Sequence, residues 1–291
     1  MDLPLIVGVD GSQSSLQAVD WAVDEATLHG LPLRLLYASL WERYEGVSYT
    51  DNLGLPAQDD SGQGIVGAAA ERAARRNPEV EVSTSVLPEE TEPALLREAR
   101  NATALITGSR GRGPLAELLL GSVSLAMAAR AHCPVVVVRG GETSRAGRHG
   151  RVLLGVADPG PDLASVRFAF REAEARHCPL EAVSAWRCPA QDARAHPVPT
   201  AEFAAEHEAR ASALLDAALK SAAADHPDVP VTRTIIEGPA HKVLRDLSVT
   251  ADLLVLGAHR RHSHLGLQLG RVAHALLHHA DCPVAIVPQR G

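Results

Sequence analysis

The chain has 291 residues, a formal net charge of -7 at neutral pH, and is 46% hydrophobic, 22% charged and 3% aromatic. That balance excludes a disordered or collagen-like polypeptide, the length suggests two domains, and the acidic charge argues against a surface for nucleic acid or anionic membrane. With so few rings, the cores must be Ala, Val and Leu, which favours helices packed on buried parallel strands.

In chain order, residues 3–9 form an apolar run closed by Asp10. It reads as a first strand and not a signal peptide, because no basic segment precedes it. Residues 14–29 place Leu16, Val19, Ala22, Val23 and Ala26 at helical spacing. A second strand follows at 33–39, after Gly30 and Pro32. The long irregular segment 41–60 carries Trp41, Tyr44 and Tyr49, and reads either as a surface loop or as a lid or partner-contact loop over the edge of the second strand. Residues 61–76 are an Ala-rich helix, 80–86 an alternating strand, 93–101 a short helix and 103–107 a fourth strand. The spacing predicts a helix over 115–131 and a fifth strand at 134–138. Strands this continuously apolar are buried on both faces.

The pattern then repeats. LIVGV at 5–9 answers VLLGV at 152–156, ALITGS at 104–109 answers LLVLGA at 253–258, and HCPVVVV at 132–138 answers DCPVAIV at 281–287. The offset drifts only from 147 to 149, so one fold is used twice. Strands are expected near 151–156, 179–185, 230–236, 252–256 and 283–287. The expected fold is α/β: two doubly wound domains, 1–139 and 151–291, each with a five-strand parallel sheet of order 3-2-1-4-5, joined by a polar linker at 140–150. No run approaches the ~20 apolar residues of a membrane span. Cys133, Cys178, Cys188 and Cys282 form no C-x-x-C pair and read as reduced thiols of a cytoplasmic protein.

The strongest chemical signal follows the fourth strand. In GSRGRGPLAELLLGSVS at 108–124, Gly108 and Gly111 are followed nine residues later by Gly121 and Ser122. Glycines let backbone N–H groups approach an anion closely, and Arg110 and Arg112 add positive charge. No G-x-x-x-x-G-K-[ST] is present, and the chain's two lysines, Lys220 and Lys242, both lie in the second half. GRGPLA fits G-x-G-x-x-A, but no acidic residue ends the next strand, which disfavours a dinucleotide site.

V-G-V-D-G-S at 7–12, G-x-x-G-x9-G-S at 108–122 and H-C-P-V-V-V-V at 132–138 together resemble the universal stress protein family, over both halves of the chain. The resemblance implies an ATP-binding protein with a regulatory or stress-response role, the nucleotide being carried with Mg2+. It implies that Asp10 meets the adenine or ribose and that Val9, Ser12 and Ala38 wall the adenosine. Gly108, Arg110, Gly111 and Gly113 would approach the ribose and phosphates, and Gly121, Ser122, Val123 and Ser124 would hold the phosphate tail. It also implies pairing of the two domains through their fifth strands, with a homodimer beyond that. From the residues alone, Asp10 also reads as a cap, with Ser12, for the following helix.

The second half departs from the motif. Ala157 stands for Asp10 with Asp158 one place later, Arg260 replaces the second glycine, and Arg271 replaces the serine after Gly270. That half reads as a degenerate site. Its histidines, His259, His262 and His264 in a loop and His274 and His278 on a helix, lack a completing ligand set, so no metal site is expected. No catalytic constellation emerges. Slow adenine-nucleotide hydrolysis and a nucleotide-free interaction scaffold remain the alternatives to a binding protein.

Overall fold

Short runs of Leu, Ile and Val, each followed by an amphipathic helix, dictate the architecture. The computed structural model describes residues 2–40, 62–110, 120–157, 164–187, 201–259 and 269–289. It divides into two units, Met1–Arg139 and Gly140–Gly291. The segments 41–60, 111–119 and 260–268, with Cys188, lie outside the described residues, and with them Gly111, Gly113, Arg260, His262 and His264.

The first unit runs β1 (Leu5–Gly8), α1 (Gln13–His29), β2 (Leu33–Ala38), α2 (Gly62–Arg76), β3 (Val82–Leu87), α3 (Thr91–Glu98), β4 (Ala104–Gly108), α4 (Ser122–Arg130) and β5 (Val135–Val138). Its strands are all parallel, in the order β3-β2-β1-β4-β5. Leu5 pairs with Leu33 on one side and with Ala104 on the other. α1 and α2 cover one face, while α3 and α4 pack together on the opposite face. Val7, Leu33, Leu35, Leu105, Ile106 and Val137 are almost wholly excluded from water. This burial supplies most of the driving force, at roughly 25 cal/mol per Å² of apolar surface. α1 begins under a Ser12 cap whose side chain accepts the Ser15 N–H, and ends at Gly30 in the left-handed region, φ +64°.

The second unit runs α5 (Glu142–Arg145), β6 (Val152–Gly155), α6 (Ala164–Ala175), β7 (Leu180–Trp186), α7 (Ala201–Asp225), β8 (Val231–Glu237), α8 (Ala240–Ser248), β9 (Leu253–His259), α9 (Arg271–His279) and β10 (Val284–Gln289). Its parallel order, β8-β7-β6-β9-β10, repeats that of the first unit strand for strand. Residues 140–150 are folded against this unit. Asp252 accepts the backbone N–H groups of His149, Gly150 and Arg151 at 2.9, 2.6 and 3.1 Å. Gly140 has φ +81°, and a Cβ there would stand 2.0 Å from the Asp281 carbonyl, so only glycine fits.

Three boundaries differ from the sequence expectation. Among the described residues the helix expected over 115–131 runs Ser122–Arg130, because Gly121 adopts extended backbone, φ -59° and ψ 139°, and stands outside the helix as its cap; 115–119 lie outside the described residues. β9 runs on to His259 and β10 to Gln289, where strand ends at 256 and 287 were expected. The extension holds because the Gln289 carboxamide is buried and doubly bonded: Oε1 accepts the Ala164 N–H at 2.9 Å and Nε2 donates to Ser165 Oγ at 2.7 Å. No helix among the described residues is long and apolar enough to cross a membrane.

Candidate functional site

In a doubly wound sheet the chain leaves β1 toward one face and returns through β4 on the other, opening a crevice at the strand carboxyl ends. The first unit has a cleft of about 150 Å³ at that place. β1 contributes Gly8, Val9 and Asp10; β2 contributes Leu36 and Ala38; β4 contributes Thr107, Gly108 and Arg110. α3 brings Thr91 and Leu95, and the start of α4 brings Gly121 through Ser124. The wall is mostly apolar, with polar groups at the rim, as small-molecule clefts require.

The described residues on either side of 111–119 are tied down by hydrogen bonds. The Gly121 N–H donates to the Ser109 carbonyl at 3.0 Å, and the Arg110 N–H donates to Ser14 Oγ at 3.0 Å. Ser124 Oγ donates to the Gly108 carbonyl at 2.7 Å, tying α4 to β4. With Leu125 already bonded to the Gly121 carbonyl, the N–H groups just before it lead the helix. Leading N–H groups have no partner inside a helix and carry its positive dipole end, which suits an anion.

Gly108 serves packing as well as access. A Cβ there would lie 2.5 Å from Ser14 Oγ and 2.7 Å from the Ser14 carbonyl carbon, so α1 sits on this glycine. Asp10 also has two parts to play. Its Oδ1 accepts the Ser12 N–H at 3.0 Å, which shapes the entry to α1, and its residue lines the cleft. Thr91 Oγ1 donates to the Ala38 carbonyl at 2.7 Å, joining α3 to the end of β2.

Of the residues expected from sequence, Val9, Asp10, Ala38, Gly108, Arg110, Gly121, Ser122, Val123 and Ser124 converge on this one cleft. Ser12 stands outside its lining as the α1 cap. Gly8, Ser15, Leu36, Thr91, Leu95 and Thr107 join the lining without a sequence signal: most are ordinary strand or helix residues that only topology brings together.

The Universal stress protein family model matches residues 3–139 and again residues 149–288. The chain belongs to the universal stress protein family. A universal stress protein of Mycobacterium tuberculosis (strain ATCC 25618 / H37Rv) is 33% identical over 294 residues, covering 98% of this chain and 97% of the relative. The crystal structure of a universal stress protein from Archaeoglobus fulgidus DSM 4304 shares the fold along the whole length: TM-score 0.64, 15% identity, 99% of this chain and 98% of that one. A universal stress protein solved in complex with cAMP is 27% identical, covers 47% of this chain and 96% of its own, and has a TM-score of 0.36.

The second universal stress protein domain keeps the glycine cap at the head of its last helix and changes the side chains around it. Gly270 caps α9 at φ -58° and ψ 149°, close to the angles of Gly121. Arg271 and Ala273 stand where the first domain has Ser122 and Ser124, and Ala157 stands for Asp10. The Gln289 carboxamide sits over Gly257, with Nε2 only 2.4 Å from where a Cβ would be. On α9 the His274 and His278 rings lie 4.7 Å apart between centroids. The equivalent cysteines Cys133 and Cys282 are both buried before their prolines, and burial pushes the Cys133 thiol up to about 11. Such a thiol packs as a small apolar group and is a poor nucleophile near neutral pH.

Proposed function

We propose that the first domain binds an adenine nucleotide and that the protein acts as a nucleotide-dependent regulatory or stress-response factor. One observation carries this reading: at the β1/β4 switch point a carboxylate, Asp10, and the N-terminus of α4 face one cleft with an apolar floor. Asp10 suits the hydroxyls of a ribose or an adenine amino group, the floor suits an aromatic base, and the leading N–H groups of α4 with Arg110 suit phosphates. Gly111 and Gly113, which lie outside the described residues, are proposed with Gly108 and Arg110 to approach the ribose and phosphates. ATP with Mg2+ is the proposed form. Asp10 is the carboxylate of the described lining, and its Oδ1 already serves the Ser12 N–H. That favours holding the nucleotide over turning it over rapidly, and any hydrolysis is proposed to be slow.

The second domain is proposed to bind nucleotide weakly or not at all, since Ala157, Arg271 and Ala273 stand where the first has Asp10, Ser122 and Ser124, and the Gln289 carboxamide crowds Gly257. Titration calorimetry with ATP and with AMP should give close to one site per chain. Two equal sites would overturn the assignment of the second domain, and no binding would overturn that of the first. Pairing of the domains through β5 and β10, a homodimer and a cytoplasmic location complete the proposal. The highly apolar VVVV and VAIV segments support the pairing, and sedimentation tests the dimer.

A further inference from the structure

The side chain of Thr107 sits in the floor of the first-domain cleft, only 4% exposed, and its Oγ1 has no hydrogen-bond partner among the described residues. A buried hydroxyl without a partner is uncommon, because desolvating it costs free energy that nothing returns. The fold does not require a hydroxyl here. In the second domain the equivalent residue is Leu256, 5% exposed. Its Cδ2 lies 2.7 Å from where a Cβ on Gly155 would stand, and Leu244 Cδ1 lies 2.8 Å from the same point. In the first domain the same construction on Gly8 meets Leu95 at 3.4 Å and Thr107 Cγ2 only at 3.9 Å. One repeat therefore closes this floor with leucine, and the other leaves room and places a hydroxyl beside it.

We infer that Thr107 is a ligand-contacting residue, its hydroxyl meeting the uncharged polar edge of the nucleoside at the bottom of the cleft. This rests on the reading that the first domain binds an adenine nucleotide. The hydroxyl is free to do so: one staggered χ1 step carries Oγ1 into the position of Cγ2, the atom turned toward Gly8, with Cγ2 moving to the place of Hβ, and breaks no hydrogen bond. A phosphate is a poor match for this spot. The floor around Thr107 is Gly8, Leu36 and Leu95, whereas Arg110 is exposed at the rim. Burying a charge against one hydroxyl leaves most of its solvation unreplaced, while a base or ribose edge needs only the one bond.

The test is binding of AMP and of adenosine to the full chain and to its Thr107→Val and Thr107→Ser variants, with thermal midpoints of each. Thr107→Val should weaken both ligands about tenfold, by the same factor, since it leaves a buried ligand group unpaired. Its midpoint should stay level or rise, because an unpaired hydroxyl is removed. Thr107→Ser should retain the affinity. Unchanged binding by Thr107→Val would overturn the inference while leaving the nucleotide site intact. A loss confined to AMP would assign the hydroxyl to the phosphate, and a lowered midpoint would assign it to the fold; either overturns the inference. An unaltered chain that binds neither ligand would overturn the site itself and the inference with it.

Discussion

Gly121 and Gly270 hold nearly the same backbone angles at the head of equivalent helices, yet the residues around them diverge. Behind Gly121 come Ser122 and Ser124, the latter bonded to Gly108; behind Gly270 come Arg271 and Ala273. β4 of the first domain carries a buried Thr107 where β9 of the second carries a buried Leu256. Over Gly108 lies the backbone of Ser14, over Gly257 the side chain of Gln289. A glycine-capped helix after the fourth strand is thus a property of the fold and recurs in both domains. A binding site is a property of a few polar side chains set into it, and those are concentrated in the first domain. Loss of site chemistry costs the second domain nothing in folding, since leucine and a capped glutamine fill the same space well.

The largest contrast should come from the paired glycines. Gly108→Ala forces a methyl group against the backbone of Ser14, whereas Gly257→Ala meets mainly the side chain of Gln289. Overpacking against backbone should destabilise the first domain by about 3 kcal/mol, against about 1–2 kcal/mol for the second, where a side chain can yield. Denaturant midpoints of the two variants measure the difference, and equal losses would break the comparison.

Asp10 is the next lever. Asp10→Ala removes a charged hydrogen-bonding group from the cleft and should lower nucleotide affinity about tenfold to a hundredfold, or roughly 1.5–3 kcal/mol. Asp10→Asn keeps an oxygen for the Ser12 N–H, so it separates the helix entry from the ligand contact. Calorimetry on both variants reads the result. Placing an aspartate at Ala157 should not by itself create a second site, because Arg271 and Leu256 remain.

A smaller effect is expected from Ser124→Ala, which copies Ala273. It leaves the Gly108 carbonyl without the Ser124 hydroxyl and should cost about 1 kcal/mol, seen as a lowered melting temperature. No change would show that the tie between α4 and β4 is dispensable in both domains.

The smallest effect appears only in alkali. Burial raises the Cys133 thiol from 9.0 to about 11, so the folded state holds this proton after the unfolded chain has released it. Stability is therefore insensitive to this group below pH 9 and falls as pH rises from 9 toward 11. A Cys133→Ala variant should lose that part of the alkaline slope, measurable by chemical denaturation across the range. Alkylation of Cys133 in the native protein at pH 8 should be much slower than that of an exposed thiol.

The sequence by itself determined the repeat, the α/β class and most of the residues that line the first-domain cleft. Apolar periodicity is local, so β1, α1, β2 and the Val135–Val138 strand are legible wherever burial on one or both faces dictates residue type. The glycine spacing and Asp10 were legible for the same reason: a backbone that must turn, or a carboxylate closing a strand, marks its own position. The expected helix ran unbroken through Leu120 and Gly121 because LAELLLG has helical periodicity, while the cap at Gly121 depends on its bond to the Ser109 carbonyl; residues 115–119 lie outside the described residues. Tertiary structure alone decided what far-separated residues do to one another. Thr107 is an unremarkable strand residue until Gly8 and Leu95 enclose it. Gln289 looks like a polar chain end until Ala164, 125 residues earlier, donates to it. Each of these roles rests on a contact between segments whose separation in the chain carries no periodic signal, and only packing into one fold brings them within hydrogen-bonding or van der Waals reach.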